Sequence, residues 1–180
     1  MVYDLIIIGS GPAGLAAAIY AARARLSFLV LEKMPLSGGQ ILNTYEVENY
    51  PGIPTIGGFE LGMKLREHAE HQGTEMIHIE VRHISLEEQG RIKVLYTDGK
   101  EYRARTVILA MGAKYRTLGI PGEKELTGMG VSYCATCDGA FFRGRKVAVA
   151  GGGDVAAEDA LFLARGCEKV YLIHRRDQLR

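Results

Sequence analysis

The chain carries one device twice. Shifted against itself by 142 residues, Asp4-Leu-Ile-Ile-Ile-Gly-Ser-Gly-Pro-Ala-Gly14 meets Lys146-Val-Ala-Val-Ala-Gly-Gly-Gly-Asp-Val-Ala156 without a gap. Each copy is a strand-length apolar run ending in a glycine-rich turn. A helix-length segment follows each turn, Ala13 to Ala24 and Val155 to Arg165, and then a second apolar run, Phe28 to Leu31 and Val170 to Ile173. In the pattern GxGxxG, with alanine allowed last, the first glycine makes the tight turn and the second lets backbone approach a pyrophosphate. The third lets helix and strand pack closely. A single match constrains little, because many glycine turns precede helices. Two copies in the same strand, turn, helix, strand context predict an α/β fold of two Rossmann-like dinucleotide-binding units.

The residue ending the second strand of such a unit meets the adenosine ribose. In the first unit it is Glu32, a carboxylate suited to free ribose hydroxyls, which favours FAD or NAD. At the equivalent place in the second unit stand His174-Arg175-Arg176, with Arg180 one turn on. Arginine forks suit a 2′-phosphate, so the second site reads as one for NADP(H).

Between the repeats, Gly57 to Gly73 reads as an amphipathic helix. His68 and His71 lie on it three apart, but no third ligand stands at a sensible spacing, so no metal is expected. Alternating segments, Glu75 to Ile84, Arg91 to Tyr96 and Glu101 to Leu109 around a turn at Asp98-Gly99, predict an antiparallel meander. Its last strand, Thr106 to Ala110, rejoins the parallel sheet. Leu118-Gly-Ile-Pro-Gly122 reads as a linker, and the domains are expected at 1–114 and 115–180. The uncharged run Leu5 to Ala22 has the length of a membrane span, but the glycine-proline turn inside it breaks a lipid-spanning helix. With no basic segment before that run and a net charge of +1, neither export, membrane nor nucleic acid is expected. Three cysteines, an odd number, fit a reducing, cytoplasmic compartment.

Cys134 and Cys137 stand two residues apart. A zinc site would need a second pair nearby, and none is present. As a staple the pair would close too short a loop to remove much unfolded-state entropy. Reversible exchange remains, since a CxxC pair commonly carries a thiol of lowered pKa. Asp138 next to it suits either proton management or an Asp-Gly turn.

Taken together, Gly9-Ser-Gly-Pro-Ala-Gly14, Gly38-Gly-Gln40, Glu48-Asn-Tyr-Pro-Gly52, Ile108-Leu-Ala-Met-Gly-Ala113, Cys134-Ala-Thr-Cys-Asp138, Gly151-Gly-Gly-Asp154 and His174-Arg-Arg176 resemble the low-molecular-weight, bacterial-type thioredoxin reductases, from end to end of the chain. The resemblance implies a cytoplasmic, homodimeric flavoprotein of the three-layer ββα FAD/NAD(P)-binding type. Electrons would pass from NADPH to FAD, then to the Cys134/Cys137 disulfide, then to thioredoxin. It implies Cys137 as the flavin-side thiol, Cys134 as the thiol that exchanges with thioredoxin, and Asp138 as the general acid. FAD would be lined by Gly9, Gly11, Pro12, Ala13, Gly14, Glu32, Gly39, Gln40, Asn49 and Ala113. NADPH would be lined by Gly151, Gly152, Gly153, Asp154, His174, Arg175, Arg176 and Arg180.

Two positions depart from the pattern. Met111 and Val155 stand where the family usually has threonine and a serine or threonine, and Val155 offers no hydroxyl to a pyrophosphate. The second unit also provides only two strands where such a half uses about three. Both units are therefore expected to be incomplete, and the sequence reads as the N-terminal part of a longer reductase. Two other readings stand beside it, a nucleotide-binding fragment without turnover and the flavoprotein reductase of a peroxide-reducing system.

Overall fold

A computed structural model describes residues 1–179. The chain divides into two compact units, Met1–Lys114 and Tyr115–Arg180. The first begins with β1 (Val2–Ile8), α1 (Pro12–Arg23) and β2 (Phe28–Glu32), continues through α2 (Gly58–His71), and ends with β3 (Met76–His78), β4 (Val81–Glu87), β5 (Ile92–Thr97) and β6 (Lys100–Leu109). The second holds α3 (Ala135–Asp138), β7 (Lys146–Ala150), α4 (Asp154–Leu163) and β8 (Lys169–Ile173). Among the described residues, no helix is long and apolar enough to cross a membrane.

In the first unit the strand order is β3-β2-β1-β6-β5-β4. The strands from β3 to β6 run parallel, with Leu5 opposite Phe28 and Thr106, and Ile8 opposite Leu31 and Leu109. β5 and β4 join antiparallel. Strand alternation divides β1 between two cores. Leu5 and Ile7 pack with Ala18 and Ala21 of α1 and Val30 of β2, whereas Ile6 and Ile8 pack with Leu29, Leu31, Leu95, Tyr102 and Ala104. Helix, parallel sheet and meander therefore form three layers, with β1 buried on both faces as its unbroken apolar run requires. Ile6 and Ile7 are fully buried, and each contributes roughly 1.5–3 kcal/mol of transfer free energy. In the second unit β7 and β8 pair in parallel, Lys146 opposite Lys169 and Ala150 opposite Ile173. Two Rossmann-like units of one α/β class are thus present.

Two segments differ from the sequence reading. Glu75 to Ile84 is two strands. β3 extends the parallel sheet beyond β2, and the chain breaks at Ile79 and Glu80 before β4 enters the meander. Alternation runs through both, so pattern alone does not reveal the change of partner. Leu118 to Gly122 is no free linker, because the Leu118 and Gly119 amides donate to the Glu123 carboxylate inside the second unit.

The first repeat folds as it does because two side chains are missing. Gly9 has φ +103°, and a Cβ there would lie 2.3 Å from the Ala110 carbonyl oxygen. A Cβ on Gly14, in the first turn of α1, would lie 1.9 Å from the Gly9 carbonyl oxygen. A Cβ on Gly11 would meet only the Gly39 Cα, at 3.9 Å. Gly14→Ala is therefore expected to destabilise the chain by about 3 kcal/mol through overpacking against rigid backbone. Gly11→Ala should cost less than about 1 kcal/mol, the N-cap difference alone. Urea unfolding followed by circular dichroism measures both; equal losses would show that helix and strand do not meet as described.

Candidate functional site

Helix α1 opens with Gly11 as its N-cap and Pro12 at its start, without a side-chain cap or an acidic residue in its first turn. Its first amides, on Ala13 and Gly14, therefore find no side-chain acceptor within the turn, the arrangement that suits an anion. Around this turn the structure gathers several predicted residues. Glu32 Oε2 accepts from the Ser10 amide at 2.6 Å and from the Ser10 hydroxyl at 2.9 Å, and Oε1 accepts from the Met34 amide at 2.9 Å. The Gly38 amide donates to the Ser10 carbonyl at 2.8 Å, which brings Gly39 against Gly11. Gln40 Nε2 donates to the Ala113 carbonyl oxygen. Asn49 is exposed in a loop closed by bridges between Val47 and Ile56 and between Tyr50 and Ile53, and among the described residues no hydrogen bond joins it to the others.

This rim fits a dinucleotide. The space that a Gly11 side chain would occupy is open, and Glu32 Oε1, with one protein donor, retains acceptor capacity for a ribose hydroxyl. Ser10, fully buried, was not singled out in the sequence. It stands at the variable position of the glycine pattern, and only the fold brings it to Glu32.

In the second unit, Gly151, Gly152 and Gly153 lead into α4, whose N-cap is Gly153 and whose first turn carries Asp154. The His174 ring covers Gly152 so closely that a Cβ there would be 2.1 Å from Nδ1. His174 Nε2 lies 3.1 Å from the Gln178 carbonyl oxygen. A cleft of about 430 Å³ is lined by Gly152, Gly153, His174, Arg175 and Arg176, together with Asp177 and Arg116. Among the described residues, Arg116, Arg175 and Arg176 belong to no ion pair. Three cations at a glycine turn fit a phosphorylated nucleotide. Arg116 was invisible to the repeat because it lies outside it, and Arg180 lies outside the described residues. Val155 is 70% exposed beside Asp154, and Met111 is 66% exposed.

Cys134 and Cys137 are joined as a disulfide, with Cα atoms 5.3 Å apart. Cys134 is the N-cap of α3, the short turn that carries Cys137 and Asp138. The Cys137 and Asp138 amides both donate to the Cys134 carbonyl. The Ser132 hydroxyl accepts from the Cys134 amide at 3.1 Å and donates to Asp138 Oδ2 at 2.5 Å. The structure thus brings Asp138 and the disulfide into one hydrogen-bonded turn. Thr136 Oγ1 lies 3.5 Å from Cys134 Sγ; disulfide sulfur has no proton, so the hydroxyl is the donor. Cys137 is exposed and Cys134 half-buried. The remaining cysteine, Cys167, donates its thiol proton to the Phe142 carbonyl.

The segment before the disulfide converges on a buried carboxylate that the sequence does not advertise. Glu123 is 5% exposed and accepts from the Leu118 and Gly119 amides, both at 2.7 Å, and from the Tyr133 hydroxyl at 2.5 Å. The Tyr133 hydrogen bond, with the Leu118 amide, holds the Glu123 carboxyl below its ordinary value of 4.5, against the opposing effect of burial. The same hydrogen bond, then burial, push the Tyr133 phenol up to about 12 from 10.0. The stabilisation from Glu123 is present above pH 4.5 and lost as pH falls through its depressed value. That from Tyr133 is present below pH 10.0 and lost as pH rises through about 12.

Comparison with known proteins follows the same outline. A family model described as pyridine nucleotide-disulphide oxidoreductase matches residues 3–180. A thioredoxin reductase of Bacillus subtilis (strain 168) is 51% identical over 179 residues, covering 99% of this chain and 56% of that protein. A bifunctional thioredoxin reductase/thioredoxin of Mycobacterium leprae (strain TN) is 54% identical over 181 residues, covering 99% of this chain and 39% of that protein. The crystal structure of thioredoxin reductase from Streptococcus pyogenes MGAS5005 superposes with a TM-score of 0.90 at 51% identity, covering 99% of this chain and 57% of that one. The chain spans about half the length of the curated relatives it matches.

The arginine-lined cleft is testable with a minimal ligand. Adenosine 2′,5′-bisphosphate is expected to bind more tightly than adenosine 5′-monophosphate. Arg175→Ala with Arg176→Ala should weaken the bisphosphate at least about tenfold and the monophosphate less than about twofold, because each charge-assisted fork contributes roughly 1.5–3 kcal/mol. Calorimetric titration decides; equal losses would remove the 2′-phosphate from the assignment.

Proposed function

The chain belongs to the pyridine nucleotide-disulphide oxidoreductase family, and from that premise we propose that it acts as an NADPH-dependent thioredoxin-disulfide reductase. Residues 1–114 form its FAD-binding part, and residues 115–180 form its NADPH-binding part with the redox disulfide. The observation that carries the reading is the Cys134–Cys137 disulfide in one helical turn with Asp138, within a chain whose two glycine turns each fit a dinucleotide. A relative that combines thioredoxin reductase and thioredoxin in one chain supports thioredoxin as the partner. A homodimeric assembly and a cytoplasmic location accompany the family resemblance.

A bound flavin would supply the redox chemistry that links a nicotinamide hydride to a disulfide. The protein's own residues account for the rest. Gly9, Gly11 and Gly14 bring backbone to the pyrophosphate, with Pro12 and Ala13 opening the helix behind it. Glu32 meets the ribose, and Gly39, Gln40, Asn49 and Ala113 complete the rim. Gly151 to Gly153 and Asp154 form the second turn, and His174, Arg175, Arg176 and Arg180 take the 2′-phosphate end. Reduction of the disulfide breaks one S–S bond and forms two thiols, using two electrons and two protons. Asp138 is placed to give or hold one of those protons, and Ser132 orients its carboxyl group. Cys134 then attacks the thioredoxin disulfide, and Cys137 resolves the mixed disulfide that forms.

Cys134→Ser and Cys137→Ser should each abolish NADPH-dependent thioredoxin reduction. Cys167→Ser should retain at least about half of it, because its thiol takes no part in the disulfide and donates to the Phe142 carbonyl. Release of thioredoxin thiols, followed with a thiol-reactive dye, measures all three. Turnover surviving either of the first two substitutions would refute the mechanism.

A further inference from the structure

The buried Glu123 carboxylate has no part in nucleotide binding or exchange as described, yet its hydrogen bonds reach the residue next to Cys134. Oε1 accepts from the Tyr133 hydroxyl and the Leu118 amide, and Oε2 from the Gly119 amide. The Glu123 carbonyl accepts from the Thr127 hydroxyl at 2.7 Å. Thr127 bridges to Val131, and the Gly128 amide donates to the Val131 carbonyl at 3.0 Å. The Tyr133 ring stacks on Tyr115, with centroids 3.6 Å apart and planes within 10°. One carboxylate therefore ties together residues 118, 119 and 133, while the stack adds residue 115. A buried carboxylate that loses a donor is penalised, so removing the Tyr133 hydroxyl loosens this hub while the Leu118 and Gly119 amides keep the carboxylate paired.

Tyr133 is flanked on the disulfide side by a second tie. Ser132 joins the Cys134 amide to the Asp138 carboxylate. The backbone entering Cys134, with φ −146° and ψ 97°, is thus fixed from both sides. A reduced CxxC pair recloses more readily the better its thiols are held in facing positions, which is an effective-concentration effect. We propose that Glu123, through the Tyr133 hydroxyl, is a positioning residue that holds Cys134 opposite Cys137 in the dithiol state and so lowers the reduction potential of the pair. The depressed Glu123 carboxyl and raised Tyr133 phenol keep the tie intact across the pH range in which thiols exchange.

The inference rests on Cys134 and Cys137 being an exchange pair, and the test separates the two claims. The chain is equilibrated in buffers of glutathione and glutathione disulfide, acid-quenched and alkylated, and the peptide carrying Cys134 and Cys137 is quantified by mass spectrometry. In this equilibrium the Cys134–Cys137 bond breaks and gains two protons and two electrons, while two glutathione thiols lose them and join. The parent pair is expected to titrate reversibly. Tyr133→Phe, which keeps the ring stack and removes only the hydroxyl, should reduce the closing equilibrium constant by about tenfold, raising the midpoint by about 30 mV. Glu123→Gln should do the same, and the double variant should shift no further than either single one, since both remove one interaction.

A folded Tyr133→Phe whose midpoint matches the parent within about twofold in equilibrium constant would overturn the inference, even if it melts at a lower temperature. Additive shifts in the double variant would also overturn it. If Glu123→Gln does not fold, Tyr133→Phe decides alone. A parent pair that does not titrate would contradict the exchange reading itself, and the inference with it.

Discussion

The first unit depends on one close approach of backbone to backbone. The first turn of α1 rests on the end of β1 so tightly that the Gly9 carbonyl occupies the place of a side chain at Gly14. That contact fixes the uncapped start of α1 against the end of β1 and leaves its amides for an anion. Other parts of the rim follow from it. Ser10, between the two glycines, is pinned by Glu32 from the neighbouring strand, and its carbonyl takes the Gly38 amide. The Glu32 carboxylate, to which the proposed function gives the ribose, thus braces the glycine turn.

The second unit repeats the turn with different chemistry around it. His174, at the place of Glu32, lies over Gly152, at the place of Ser10, and it is followed by arginines without ion-pair partners among the described residues. Under the proposed function one backbone solution serves two nucleotides, distinguished by the charge that ends the second strand. Exposed arginines in water contribute little to stability, and a bound phosphate offers them the bidentate geometry they lack in the protein.

The repeat, the strand ends and the CxxC turn were legible because each depends on local spacing. The glycine pattern, Glu32 and His174-Arg175-Arg176 announce themselves within a few residues of an apolar strand. What stayed hidden depends on where distant residues meet. Nothing near Glu123 distinguishes it from a surface acid after a Pro-Gly turn; its burial arises because Tyr133, ten residues later, folds back onto it. Ser10 and Arg116 were hidden for the same reason. The division of residues 75 to 87 between two strands was also illegible, since a change of pairing partner leaves the alternation unaltered.

Under the proposed function electrons leave the chain through Cys134, and that step can be observed without any nucleotide. In Cys137→Ser the resolving thiol is gone, so a Cys134 thiol that attacks an oxidised thioredoxin cannot complete the exchange. Incubation of the reduced variant with oxidised thioredoxin, followed by alkylation and mass spectrometry, is predicted to trap a mixed disulfide at Cys134. Cys134→Ser under the same conditions is predicted to trap several-fold less. A covalent complex formed mainly through Cys137 or Cys167, or none while Cys134 remains open to alkylation, would contradict the account.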